Sequence, residues 1–265
     1  MAPVRVRSTR ADRAMQVQAC LATVMDPELD ESVTDLGFIP GVEFLDENDG
    51  EVEVGFRLPT YWCAANFAFL MADDMRRAVQ TLPWVTSVKV QLYDHMYAEA
   101  INQGVTVGAG FEAAFGDAAQ GGLETLRRTF EVKAFQRRQE ALLQHLIDGK
   151  HLPATLVALD LQSLQRLPLD ADGKKLVERY LERRSLVGGA PLAFVDTGGQ
   201  PLAAETLSTH LRGLRTVGVN AEFNGALCRG LLAVRDQELV EKPIHFMPYR
   251  PASATNSLKK SEKRA

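Results

Sequence analysis

Residues 38–58, FIPGVEFLDENDGEVEVGFRL, decide how the first part of the chain folds. Val52, Val54 and Phe56 alternate with Glu51, Glu53 and Gly55, the period of a strand with one buried face. Asn48, Asp49 and Gly50 supply turn chemistry between this run and the one before it. The stretch therefore reads as a β-hairpin.

Working outward, Ala14, Val17, Cys20, Leu21 and Val24 recur at spacings of three and four upstream, which predicts a helix from Ala11 to Met25. Pro27 disfavours helical geometry at Asp26 and ends it there. Downstream of the loop LPTYW, Phe67, Leu70, Met71, Met75, Ala78 and Val79 form an apolar stripe opposed by Asp73, Asp74, Arg76 and Arg77. LPW at 82–84 closes that helix, and alternation from about Val85 to Tyr93 gives a third strand. The first hundred residues read as α-β-β-α-β.

The Gly- and Ala-rich stretch at 103–122 reads as a linker, with a boundary near Gly121. Beyond it the pattern is helical over about 123–148, 155–166, 172–186, 204–217 and 219–235, with a small hairpin at 191–203. The expected fold class is thus α+β, a small sheet with helices packed on it followed by a mainly α-helical part. The expected organisation is a flexible N-terminus at 1–10, an α/β domain at 11–120, a helical domain at 121–248 and a disordered basic tail at 249–265.

With 265 residues, 46% of them hydrophobic, the chain has ample material for a packed core. Its apolar runs fall short of the roughly 20 residues a membrane span needs. The basic N-terminal stretch lacks the apolar centre of a secretory signal, so a cytoplasmic location is expected. A formal net charge of −4 offers no general attraction to nucleic acid or anionic membrane. Cys20, Cys63 and Cys228 are three and far apart, which fits free thiols in a reducing compartment.

Of the three, Cys63 stands where an extended segment ends and a helix begins. Unpaired amides and the helix dipole favour a thiolate there, and thiolates are the nucleophiles and metal ligands. A small buried hydrophobe is the competing reading, because free cysteine is among the most buried residue types. Position alone leaves both open. Cys20 and Cys228 lie on helical apolar faces and read as core. No CxxC, HExxH or clustered His/Cys spacing is present, and GVTVGAG at 104–110 lacks the phosphate-loop pattern.

In order and spacing, Asp26-Pro27-Glu28-Leu29, then Asp35-Leu36-Gly37, then Cys63, then Leu82-Pro83 and Val85 to Val90 resemble the iron-sulfur cluster assembly family once called domain of unknown function 59, which includes PaaD-like metal-sulfur cluster assembly factors. The resemblance covers about residues 11–100. It implies transient binding of iron or an iron-sulfur cluster through Cys63, with Asp26 and Glu28 beside it and Asp35 and His95 as further candidate ligands. It implies no stable cofactor, and action by binding and transfer rather than catalytic turnover. The implied partners are an apo-metalloprotein client or other cluster-assembly proteins, with room for a homodimer. The family's small residues before the cysteine are replaced by Tyr61 and Trp62, so a more aromatic cavity over Cys63 is expected. Two alternatives stand beside this reading: a client-specific assembly chaperone for a bacterial non-haem iron monooxygenase, and a structural interaction module with an inert cysteine.

Overall fold

The structure, a computed structural model, describes residues 9–108, 110–116, 122–189 and 191–241. Most of the expected flexible N-terminus, the boundary at Gly121 and the basic tail lie outside the described residues. The fold is α+β, as the alternation and helical periodicities predict: a three-stranded sheet in the first part and helices in the second.

Helix α1 (Arg10–Leu21) opens on a capping box in which Thr9 and Asp12 satisfy each other's backbone amides. Val17 and Leu21 are its buried face. It ends four residues earlier than the apolar spacing predicts. The Thr23 hydroxyl bonds the Cys20 carbonyl at 2.7 Å, and Val24 is buried from a turn instead of a helix.

Strands β1 (Gly41–Phe44) and β2 (Glu51–Arg57) pair antiparallel, with Val42 opposite Val54 and Phe44 opposite Val52. Helix α2 (Ala65–Gln80) then crosses over to β3 (Ser87–Tyr93), which runs parallel to β2 with Val52, Val54 and Phe56 opposite Val88, Val90 and Leu92. Those six side chains form one buried face of the sheet. Asp73, expected on the polar side of α2, is buried. Arg76 and Arg77 hold its carboxylate at 2.9 and 2.8 Å.

The described part of the predicted linker is folded. Helix α3 (Ala98–Thr106) buries Ile101 and Val105, and α4 (Phe111–Phe115) packs beside it. Gly104 permits the approach, since a Cβ there would lie 2.7 Å from the Ala114 Cβ and 2.9 Å from the Phe69 ring. Asn102 of α3 closes the outer edge of β3: its Oδ1 accepts from the Leu92 amide at 2.8 Å and its Nδ2 donates to the Leu92 carbonyl at 3.1 Å.

The second part consists of α5 (Leu123–Asp148), α6 (Pro153–Ala158), α7 (Leu161–Gln165), α8 (Ala171–Arg184) and α9 (Leu207–Glu241). Its core is centred on Phe135, Tyr180 and Phe194, with successive ring centroids 5.7 and 5.6 Å apart. The hairpin expected at 191–203 is reduced to single bridges, Val195 with Pro201 and Leu192 with Asp160. The helices expected at 204–217 and 219–235 are one continuous element. Gly218 does not break it; its lack of a Cβ lets α9 run close to Glu140 of α5.

Helix α9 serves both halves. Leu207 and Leu214 belong to the second core, whereas Leu232 is buried in the first and Cys228 packs against it. A buried ion pair joins the halves as well, Arg138 of α5 gripping Asp30 with two bonds of 2.7 and 2.8 Å.

A candidate thiol site under the last helix

Local chain geometry builds the site from the acidic loop at 26–31. Asp26 Oδ1 accepts from the amides of Glu28 and Leu29 at 2.8 and 2.7 Å, an Asx turn that closes the loop from inside. Asp30 occupies the left-handed region at φ 54°, and its amide returns to the Asp26 carbonyl at 2.9 Å. The loop's outer face meets α9: Asn224 Nδ2 donates to Glu28 Oε1 at 2.6 Å, and Arg229 bonds Glu31 at 2.7 Å.

Cys63 lies on the connection from β2 to α2. The helix begins at Ala65 with Ala64 as its N-cap, so the cysteine is one residue further out than helix-end activation requires. The Ala64 amide acts to lower the thiol's pKa. Burial dominates, and the nearby Asp26, Cys228 and Glu28 add to it, so the thiol is pushed up to about 12. The depressed pKa expected from the helix terminus is therefore overturned. A half-buried sulfur raised in this way is a thiol at neutral pH.

Its second neighbour in that environment is Cys228, which the sequence assigned to a packing role. Burial raises this thiol too, followed by the charges of Asp26 and Glu28, against a smaller opposing effect of Arg229. Asp26 itself is raised by burial, opposed by the two amides it accepts, with Glu28 raising it further and Arg137 lowering it. The charges of Asp26 and Glu28 thus act on both thiols.

The remaining candidates are placed differently. His95 is buried, its Nε2 2.8 Å from the Cys63 carbonyl oxygen, while its Nδ1 accepts from the Tyr97 amide at 3.2 Å. That pattern puts the proton on Nε2 and engages both ring nitrogens, so His95 holds the cysteine loop in place and has no nitrogen free for a metal. Asp35 is exposed on the turn before Gly37, and among the described residues its side chain makes no hydrogen bond or ion pair. Tyr61 and Trp62 do not form an enclosed aromatic cavity. They meet edge to face at 4.9 Å and are each 59% exposed, next to exposed Met96, whose amide bonds the Tyr61 carbonyl at 2.9 Å.

Among the described residues no three His, Cys, Asp or Glu side chains are arranged to hold a metal ion. The segment that builds the acidic loop, the hairpin, the cysteine connection and most of β3 has a known counterpart. Residues 15–91 match the family model described as iron-sulfur cluster assembly protein. The match supports a general role in iron-sulfur cluster assembly. No curated protein and no solved structure matches the chain. Among the described residues no helix is long and apolar enough to cross a membrane.

Sequence reasoning joined Cys63, Asp26 and Glu28 through the resemblance, read Cys228 as core, against which it does pack, and did not single out Asn224. Asn224, Cys228 and Leu232 follow one another at helical spacing toward the end of α9, two or more turns beyond Leu207 and Leu214, and it is this later length of the helix that reaches the first core.

Proposed function

We propose that this protein is a PaaD-like maturation factor that carries iron or an iron-sulfur unit transiently through Cys63 and passes it to an apo-metalloprotein in the cytoplasm. The observation that carries the reading is the position of Cys63 inside the family-matched segment, facing Asp26 and Glu28 from a half-buried setting. Two carboxylates beside a protonated thiol favour an incoming cation, and the cation in turn displaces the thiol proton. Binding of this kind is reversible and needs no turnover chemistry. The exposed Tyr61, Trp62, Met96 and Tyr97 form an apolar patch next to the cysteine loop, with the composition that protein contacts favour, and they supply a place for the client.

Anaerobic reconstitution with iron and sulfide tests it. Wild-type protein gains iron-sulfur absorbance that an apo-acceptor can remove, and Cys63→Ala loses most of it. Equal loading of both proteins would overturn the assignment of Cys63 and leave client docking through the aromatic patch as the function.

A further inference from the structure

A cavity of about 630 Å³ opens between α5 and α9 beside the acidic loop, and neither Cys63 nor Cys228 is among its walls. Its volume falls in the range of pockets that take small organic molecules. Phe130, Lys133 and Arg137 enter it from one face of α5, three and four residues apart. Val217 and Phe223 of α9 supply the apolar wall opposite, and Glu28 lines it with its carboxylate already bonded by Asn224 at 2.6 Å.

The two cations of α5 have no anion. Among the described residues neither Lys133 nor Arg137 forms a hydrogen bond or an ion pair, and the Nε of Arg137 is buried without a partner. Lys133 Nζ rests over the Phe130 ring, 4.8 Å from its centroid. Arg138, the next residue along, shows the contrast: its guanidinium is bonded to both Asp30 and Glu182. Asp26 and Asp30 favour the Arg137 charge from a distance, while burial and the charges of Arg138 and Arg179 oppose it. A half-buried guanidinium in this state gains from an anion that reaches it.

The walls also say which anion. Lys133 and Arg137 against Glu28 leave one positive charge in excess, which matches a monoanion and disfavours a dianion. The planar guanidinium takes both oxygens of a carboxylate at once. A bare inorganic ion would leave Val217 and Phe223 facing water, whereas an organic frame covers them.

We propose that this cavity binds a small organic monocarboxylate, its carboxylate held by Arg137 and Lys133 and its apolar body lying against Phe130, Val217 and Phe223. The bound molecule touches both long helices of the second part and the acidic loop of the first. The site stands apart from the assignment of Cys63 as an iron-handling thiol and does not depend on it.

The probe is 2-naphthoate, titrated calorimetrically into the full chain, with 2-naphthamide as its uncharged twin and inorganic phosphate as an anion without an apolar body. Naphthoate binds at a single site, the amide binds at least about ten-fold more weakly, and phosphate at the same concentration does not displace naphthoate. Arg137→Gln weakens naphthoate about ten-fold or more and Lys133→Gln several-fold, whereas Lys174→Gln, the same charge change at an exposed position of α8, binds as wild type. Absence of saturable naphthoate binding, equal binding of acid and amide, or undiminished binding by Arg137→Gln each overturns the proposal. Displacement by phosphate at equal concentration makes this a plain anion site and overturns the organic ligand. If Arg137→Gln melts early, Val219→Glu puts a carboxylate at an exposed position of the cavity wall and should abolish naphthoate binding; retained binding overturns the proposal.

Discussion

Asn224 donates its side-chain amide to the Glu28 carboxylate at 2.6 Å, across 196 residues of sequence, and so pins the last helix over the acidic loop. A hydrogen bond to a charged group contributes about 1.5–3 kcal/mol. Asn224→Ala is expected to increase the alkylation rate of Cys63 several-fold in a Cys20→Ser, Cys228→Ser background, read by mass spectrometry. An unchanged rate would show that α9 does not control access to Cys63.

The alkylation profile has a defined sign. Because burial and the Asp26 charge push the Cys63 thiol up, its reaction in the folded protein rises with pH well above 9, not below it. Folding stability follows: a thiol whose pKa is raised on folding keeps its contribution below the unfolded value and loses it as pH rises from about 9 toward 12. Urea titrations over that window should show a steeper alkaline loss in wild type than in Cys63→Ala.

Asp26→Asn keeps the Oδ1 that accepts the Glu28 and Leu29 amides but removes a charge that burial disfavours. The variant should be at least as stable as wild type at pH 7, and Cys63 should alkylate faster at any given pH. A destabilised but folded Asp26→Asn would mean that the carboxylate charge has a partner more important than the two amides.

Arg138→Met removes the two-bond partner of the buried Asp30 carboxylate and leaves it the longer ion pairs to Arg179 at 3.5 Å and Arg183 at 3.8 Å, so the cost falls at or below the low end of the roughly 3–5 kcal/mol for breaking a buried pair. Pairing it with Asp30→Asn should restore part of that loss, because the under-paired charge is gone. Denaturant midpoints of the two single variants and the double variant test this, and strict additivity would contradict it.

Gly104→Ala puts a methyl group 2.7 Å from the Ala114 Cβ and 2.9 Å from the Phe69 ring. Overpacking of this kind costs about 1–3 kcal/mol. By contrast Trp62→Ala, at a side chain 59% exposed, should change stability by no more than about 0.5 kcal/mol. Thermal melts of the two variants separate a packing role from a surface role.

Much of this was legible in the chain. The alternation at 52–56 and the turn residues at 48–50 specify the hairpin, and the stripe on α2 specifies the crossover, because these patterns reflect burial against neighbours close in sequence. Gly104 and Gly218 were misread for one physical reason. A glycine that admits a neighbouring side chain has the same letter as one that loosens a loop, and only the neighbour, Phe69 or Glu140, tells them apart. At the site, Asp26 and Cys63 could be joined from their resemblance to a known pattern. Cys228 could not, since its environment is set by a helix that ends over a different core from the one in which it starts. The raised thiol was hidden likewise: a helix terminus is visible in sequence, whereas the burial and the nearby acidic groups that outweigh it are not.

The order in which the parts are made has a consequence of its own. The loop at 26–31 and Cys63 leave the ribosome long before α9 exists, and domains tend to fold as they emerge. For that interval the acidic loop lacks Asn224 and Arg229, and the first core lacks Leu232 and Cys228. Synthesis therefore passes through a stage in which the loop and the first core are open on the side that α9 later closes, and the first part completes its packing only when the end of the second part arrives.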